Sequence, residues 1–224
     1  MVSMVLAALL PAFLIGLVFY VLDKDKEPLI LCLRAFLFGI FSVGLLIILE
    51  WILPHPSASS HLEEVLWRAF YEAAFKEELA KFVFLLAAVY RHRHFDEWYD
   101  GILYGVLIGL GFAFVENIKY FNDFLAEQGH SLVVARSILS MPVHALSGGI
   151  MGYYVGKAKF TLRQGRVGLY FVLALLMPIL THGLFDFFVF YSETGIKLLT
   201  VPLVFYMWVK TLQLKKASQA TQIF

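Results

Sequence analysis

The stretch "FYEAAFKEELAKFVFLL", Phe70–Leu86, decides the fold. It sets Glu72, Lys76, Glu77, Glu78 and Lys81 inside an apolar segment that continues through "VFLLAAVY" to Arg91. Two readings compete. Glu72/Lys76 and Glu77/Lys81 are spaced i,i+4 with glutamate leading, the favourable order for ion pairs on a helix surface. A salt-bridged helix lying on a membrane has that pattern. A helix that crosses the membrane instead buries Glu77 and Glu78 near mid-span, at about 2.5–3.5 kcal/mol for each acid on insertion scales. Such acids face a cavity or a partner.

The surrounding chain selects the crossing. Of 224 residues, 60% are hydrophobic, 17% aromatic and 16% charged, and several runs reach the about 20 apolar residues that span a bilayer. The fold class expected is all-α: a polytopic membrane helix bundle forming a single integral-membrane domain over 1–224, multi-pass in the cell membrane. Seven helices are predicted, over 3–22, 29–53, 65–90, 101–122, 132–156, 167–190 and 196–213. Lys24 and Lys26 lie in the first connection, Arg91 and Arg93 in the third, Lys157, Lys159, Arg163 and Arg166 in the fifth, and Lys215 and Lys216 in the tail. The second, fourth and sixth connections carry neither Lys nor Arg. By the positive-inside rule this alternation puts the N-terminus outside and the C-terminus in the cytoplasm, and it requires 65–90 to cross. The opening "MVSMVLAALLPAFLIGLVFYVLDKDKEP" lacks a basic leader and a small-residue cleavage site, so it reads as a retained first span. A net charge of +1 gives no nucleic-acid footprint. A lone cysteine, Cys32, excludes an internal disulfide framework.

Four successive spans carry titratable groups. Glu77 and Glu78 lie on the third, Glu116 and Asn117 on the fourth, and His144 on the fifth. His182 and Asp186 lie one turn apart on one face of the sixth. At about 1.5 Å rise per residue, Glu77 and His144 lie about 18 Å below the outer end of their spans, His182 about 12 Å and Glu116 about 9 Å. All fall between midplane and outer face, where they can meet in one outward-facing cavity. Gly101, Gly105 and Gly109, and again Gly148, Gly152 and Gly156, repeat at four-residue spacing, which lets membrane helices approach closely.

Two imidazoles among carboxylates suit a catalytic zinc, with three N/O ligands and an open position for water. A non-ligating glutamate would take that water's proton. In a metal-free version a glutamate, kept anionic by Lys81 and a histidine, activates water directly. Other protease chemistries fit less well. The chain has no His-Glu-x-x-His motif, Ser147 among glycines reads as packing, and Tyr99-Asp100 lacks the second Gly-x-Gly-Asp of aspartyl intramembrane proteases. Asp100 suits the dipole at a helix start.

"EELAK" (Glu77, Glu78, Lys81), "FAFVEN" (Phe112, Glu116, Asn117), "HALSG" (His144) and "HGLFD" (His182, Asp186) stand in the order expected of the PrsW family. "PAFLIGLVFYVLDKDKEP" and "HFDEWYDGILYGVLIGLGFAFVENI" resemble that family too, so the likeness runs over nearly the whole chain. The resemblance implies a membrane protease that makes the first, site-1 cut in a single-pass anti-sigma factor, on the extracytoplasmic side. A second intramembrane protease then acts, releasing a sigma-W-type regulator in envelope stress. The family is similar to a wider superfamily with CAAX prenyl proteases and bacteriocin-processing proteins. Those carry Glu-Glu-x-x-x-Arg and a histidine where this chain has Glu116; here the basic partner is Lys81.

The site expected is therefore Glu77 as general base, with Lys81 keeping the Glu77/Glu78 pair ionised and Asn117 donating to the oxyanion. His144 and His182 bind zinc, helped by Glu78, Glu116 or Asp186, a choice the sequence leaves open. Glu50, Arg34, Glu72 and Lys76 read as structural or interfacial charges. Two other classes compete: an ion- or proton-coupled transporter, since buried Glu and His chains also mark such pathways, and a noncatalytic membrane scaffold. Transporters often repeat their halves, and no repeat is visible.

Overall fold

A computed structural model describes the backbone of residues 2–191 and 194–220, and the side chains of residues 6, 8–123, 139–191 and 195–218. Among the described residues every regular element is helical, as expected. Helix α1 (Val2–Leu22) ends where Lys26 turns back: its ammonium donates to the carbonyls of Tyr20 and Val21, each at 2.9 Å, and to that of Asp23. A cation on the last carbonyls is a favourable helix stop. Pro28 then starts α2 (Leu29–Ile52), since its missing N–H costs nothing at a helix entry.

Helix α3 (His61–Leu66) begins at Ser60, whose hydroxyl accepts from the Glu63 N–H, while the Glu63 carboxylate accepts from Ser59. The helix runs without a break through a π-helical stretch (Trp67–Phe75), α4 (Lys76–Leu85) and a second π-helical stretch (Leu86–Tyr90). The segment predicted over 65–90 is thus helical from 61, and its winding is not uniform. That changes one pairing. Glu72 bonds His55 at 3.2 Å and Lys76 pairs with Glu50 at 3.2 Å, because the wider winding up to Phe75 takes Glu72 off the face that Lys76 occupies. Glu77/Lys81, inside regular α4, does meet, at 3.6 Å.

The segments predicted over 101–122 and 132–156 fall within one helical element, α5 (Trp98–Phe160). It is not straight. A straight helix would hold residues 101 and 152 about 77 Å apart. Instead a Cβ on Gly101 would lie 2.2 Å from the Gly152 carbonyl oxygen, and one on Gly105 would lie 2.0 Å from that of Gly148. The two halves therefore run antiparallel, reversing between Asn117 and Ser140, whose side chains meet at 3.5 Å. The predicted 122–131 connection lies mainly outside the residues with described side chains. The glycine spacing read from the sequence is this seam: backbones touch where no side chain intervenes. A second close approach joins α2 to α5, where Gly39 faces Ile108 and Gly111 faces Phe36.

A short 3₁₀ turn (Gln164–Arg166) leads into α6 (Val167–Phe190); α7 (Thr194–Lys197) and α8 (Thr200–Ala220) finish the chain. The folded-back α5 is the centre, with α1, α2, α6 and α8 packed on it. The distribution of side chains is inverted relative to a water-soluble protein. Phe13, Ile30, Phe41, Trp51, Val172 and Phe205 are exposed on the perimeter, while Lys76, Glu78 and Lys81 are 0% exposed inside. Leu29–Ile52, Trp98–Asp123, Gln164–Phe190 and Gly195–Ser218 are long and apolar enough to cross a membrane, and Ala8–Leu22 is a shorter apolar helix.

Candidate active site

Helix α4 starts where the first π-helical stretch ends, so Glu77, Glu78 and Lys81 share its first turns with regular helical phase. Lys81 is the hub. Its ammonium donates to Glu78 Oε1 at 2.8 Å and to His144 Nδ1 at 2.9 Å, lies 3.6 Å from Glu77 Oε2, and stands 4.2 Å above the Phe112 ring. A cation without water needs such a shell.

Because Lys81 donates to His144 Nδ1, the proton of that ring sits on Nε2 and is donated to Glu116 Oε2 at 2.7 Å. Glu78 Oε1 accepts from Lys81, from His182 Nδ1 at 2.8 Å and from Ser147 Oγ at 3.2 Å. His182 Nδ1 thus donates to Glu78, and its Nε2 faces Glu77 Oε2 at 3.9 Å and Asp186 Oδ2 at 3.3 Å. Glu77 Oε2 lies 3.9 Å from His144 Nδ1 as well. The two imidazoles stand edge to face with centroids 4.8 Å apart. Glu77 Oε2 is buried and has no hydrogen-bond partner, an expensive state unless something sits between it and the rings.

Glu77, His144 and His182 each bring a ligand atom within 4.8 Å of the other two. One carboxylate oxygen and two imidazole nitrogens, with the orphaned Glu77 oxygen among them, is a donor set that fits zinc. A metal on His144 Nδ1 would displace the Lys81 ammonium onto the Glu77 and Glu78 carboxylates, both already in its shell.

The geometry sorts the residues predicted from sequence. Glu77, Glu78, Lys81, His144, His182, Glu116 and Asp186 converge. Glu78, hydrogen-bonded to the far side of His182, orients that ring rather than facing the Glu77/His144/His182 centre. Asn117 is buried with an unpartnered Nδ2, but its neighbour is Ser140 and it does not line the cavity described next. Ser147, read as packing, bonds Glu78; its place one turn beyond His144 on α5 was the signal. Gly183 beside His182 also matters, since the Phe70 ring fills the space where its side chain would be.

A cavity of about 430 Å³ reaches Glu77 and Glu116 from the end of the bundle where α2 and α6 terminate. Glu50, Arg68, Glu72 and Lys119 line its mouth. The site is therefore a charged hollow that opens at this end of the bundle, with Phe112 among its lining residues.

The sequence matches the PrsW family intramembrane metalloprotease over residues 27–212. The chain belongs to the PrsW family. It is similar to the "Protease PrsW" of Bacillus subtilis (strain 168), 35% identical over 97% of this chain and 96% of that protein. It is also similar to those of Geobacillus kaustophilus (strain HTA426), 36% identical over 86% of this chain and 82% of that protein, and Clostridioides difficile (strain 630), 34% identical over 91% and 86%. No solved structure matches the chain. A PrsW-family intramembrane protease with several long apolar helices is a multi-pass membrane protein that sits in the lipid bilayer, and the transporter alternative is not favoured.

Proposed function

We propose that this chain is a single-domain, seven-span peptidase of the cell membrane that makes the site-1 cut in a single-pass anti-sigma factor on the extracytoplasmic side. The cut initiates regulated release of a sigma-W-type factor. One observation carries the chemistry: the buried Glu77 Oε2, without a hydrogen bond, facing both His144 Nδ1 and His182 Nε2 at 3.9 Å, on the lining of an open cavity. The orientation rests on the basic connections. Lys24, Lys26, Arg91, Arg93 and Arg163 lie at the end opposite the cavity mouth, so the mouth faces away from the cytoplasm.

Glu77, His144 and His182 would hold zinc, which supplies polarisation of the scissile carbonyl and a water of pKa about 7. This gives Glu77 a ligand's place and passes the base role to Glu116, which lines the cavity and is hydrogen-bonded to His144. Glu116 accepts the proton of the attacking water and returns it to the leaving amine. Glu78 holds the His182 ring through its Nδ1 proton, the outer-shell arrangement that raises ligand basicity. Lys81 stands between the two glutamates, 2.8 Å from Glu78 and 3.6 Å from Glu77, and supplies their counter-charge. The oxyanion role expected of Asn117 would require its unpartnered Nδ2, buried beside Ser140 and off the cavity lining, to turn toward the cavity.

A second reading has its own observation. Lys81 already occupies the His144 Nδ1 lone pair, which suits a metal-free site where Glu77 takes a proton from a water seated between it and the imidazoles. Purified protein in a bilayer, incubated with a single-pass anti-sigma factor, tests both. Cleavage is expected to fall at least ~10²-fold in Glu77→Gln and in His182→Ala; unaltered cleavage in both variants overturns the site. Loss of activity with a chelator and its return with zinc supports the metal reading, and insensitivity to chelator supports the glutamate-only one.

A further inference from the structure

A second acidic centre lies at the opposite end of the bundle from the active site. The connection between α1 and α2 contributes Asp23 and Glu27; the connection into α5 contributes Asp96 and Glu97; the first turn of α5 contributes Asp100. Asp23, Glu97 and Asp100 each bring an oxygen within 4.8 Å of the other two, and so do Glu27, Asp96 and Asp100. Five carboxylates thus converge, with Asp100 shared.

Local hydrogen bonding accounts for only part of them. Asp100 Oδ2 caps its own helix, accepting from the Asp96 N–H at 2.9 Å and the Glu97 N–H at 2.6 Å. Its Oδ1 is buried with no partner. Glu27 Oε2 accepts from the Tyr104 hydroxyl. Asp23 is 4% exposed, and neither of its oxygens has a hydrogen-bond partner. The backbone N–H groups of Lys24, Asp25 and Glu27 lie near it and favour its charge, but none reaches bonding geometry.

The nearby cations, Lys26 and Lys159, act on these carboxylates only from a distance and spend their hydrogen bonds on backbone carbonyls. The Lys26 ammonium caps the α1 carbonyls, and Lys159 lies over the Phe95 ring at 4.3 Å and donates to the His92 carbonyl. Among the described residues, Asp23, Glu27 and Asp100 form no salt bridge.

An Asp nine-tenths buried, with neither oxygen hydrogen-bonded and two other carboxylates, Glu97 and Asp100, within 4.8 Å, is a site missing its counter-charge. We propose that this centre binds a hard divalent cation of the Mg²⁺ or Ca²⁺ type, held by Asp23, Glu97 and Asp100, with Glu27 and Asp96 closing its other side. All-oxygen donors select that class over zinc, which takes the nitrogen-containing set at the other end. The ion ties the α1–α2 connection to the start of α5 and so pins the central hairpin from its far end.

The test is thermal unfolding of the full chain in detergent after chelation, titrated with MgCl₂, with CaCl₂ or with ZnCl₂. It uses the His182→Ala background so that the active site does not respond. The midpoint is expected to rise saturably by several degrees with Mg²⁺ or Ca²⁺ and not with equimolar zinc; whichever of the two acts at lower concentration is the preferred ion. Asp23→Asn is expected to abolish the response while raising the cation-free midpoint, because it removes repulsion. Should that variant fail to fold, Glu97→Gln at the rim is expected to weaken the response at least tenfold in concentration. No saturable response, or one that survives Asp23→Asn or Glu97→Gln unchanged, overturns the proposal.

Discussion

Lys81 holds together what would otherwise be two buried anions and two imidazoles. Removing it leaves Glu78 charged, 0% exposed and short of a cation. Lys81→Met is expected to cost about 3–5 kcal/mol, measured by denaturation in detergent. Glu78→Gln in the same chain should restore a large part of that stability but no activity, because His182 loses its carboxylate partner. Additive losses from the two substitutions would contradict a shared network. Some of this was readable from spacing alone: His182 and Asp186 one turn apart, Glu77 and Lys81 at i,i+4. The division of labour between Glu77 and Glu78 was not. They are adjacent residues about 100° apart around a helix, and which one meets the ring nitrogens depends on how α4 is rotated, a matter of packing rather than of pattern.

At the scale of elements, the glycine seam of α5 sets where His144 stands. A Cβ on Gly109 would lie 2.0 Å from the His144 carbonyl oxygen, so Gly109→Ala must push the ring away from Lys81 and Glu116. Activity is expected to fall with the stability. Two other glycines make a sharper comparison. A Cβ at Gly105 meets the Gly148 carbonyl at 2.0 Å, whereas at Gly183 it meets the Phe70 ring at 2.4 Å. A ring at the end of a side chain can turn, and a helix backbone cannot. Gly105→Ala should therefore lower the unfolding midpoint clearly more than Gly183→Ala, with overpacking costs of about 1–3 kcal/mol as the scale; equal losses would mean the seam is looser than described. Four-residue spacing disclosed that a seam exists, but not that Gly101 meets Gly152, which follows only from the reversal of α5. The π-helical winding before α4 left no mark in residue types, and with it the fate of the Glu72/Lys76 pair was hidden.

For the whole molecule, the sequence carried the membrane class and the convergence of charge through its apolar runs and its alternating basic connections. It did not disclose the acidic centre formed by Asp23 and Asp100, whose residues sit in two separate connections and read singly as ordinary loop and cap charges. The proposed topology has a direct consequence. In a chain with Cys32 replaced by Ala, Ser57→Cys should react with a membrane-impermeant maleimide applied to intact cells, and Gln164→Cys should react only after the cells are broken. The reverse pattern would turn the cavity mouth toward the cytoplasm.

The proposed chemistry depends most on residues of three packed segments meeting around one metal, and zinc content measured on purified, proteolytically active protein is its sharpest test. About one zinc per chain is expected, falling to background in Glu77→Ala and in His182→Ala while both variants remain folded. Active protein without zinc, or variants that keep their full complement, would contradict it.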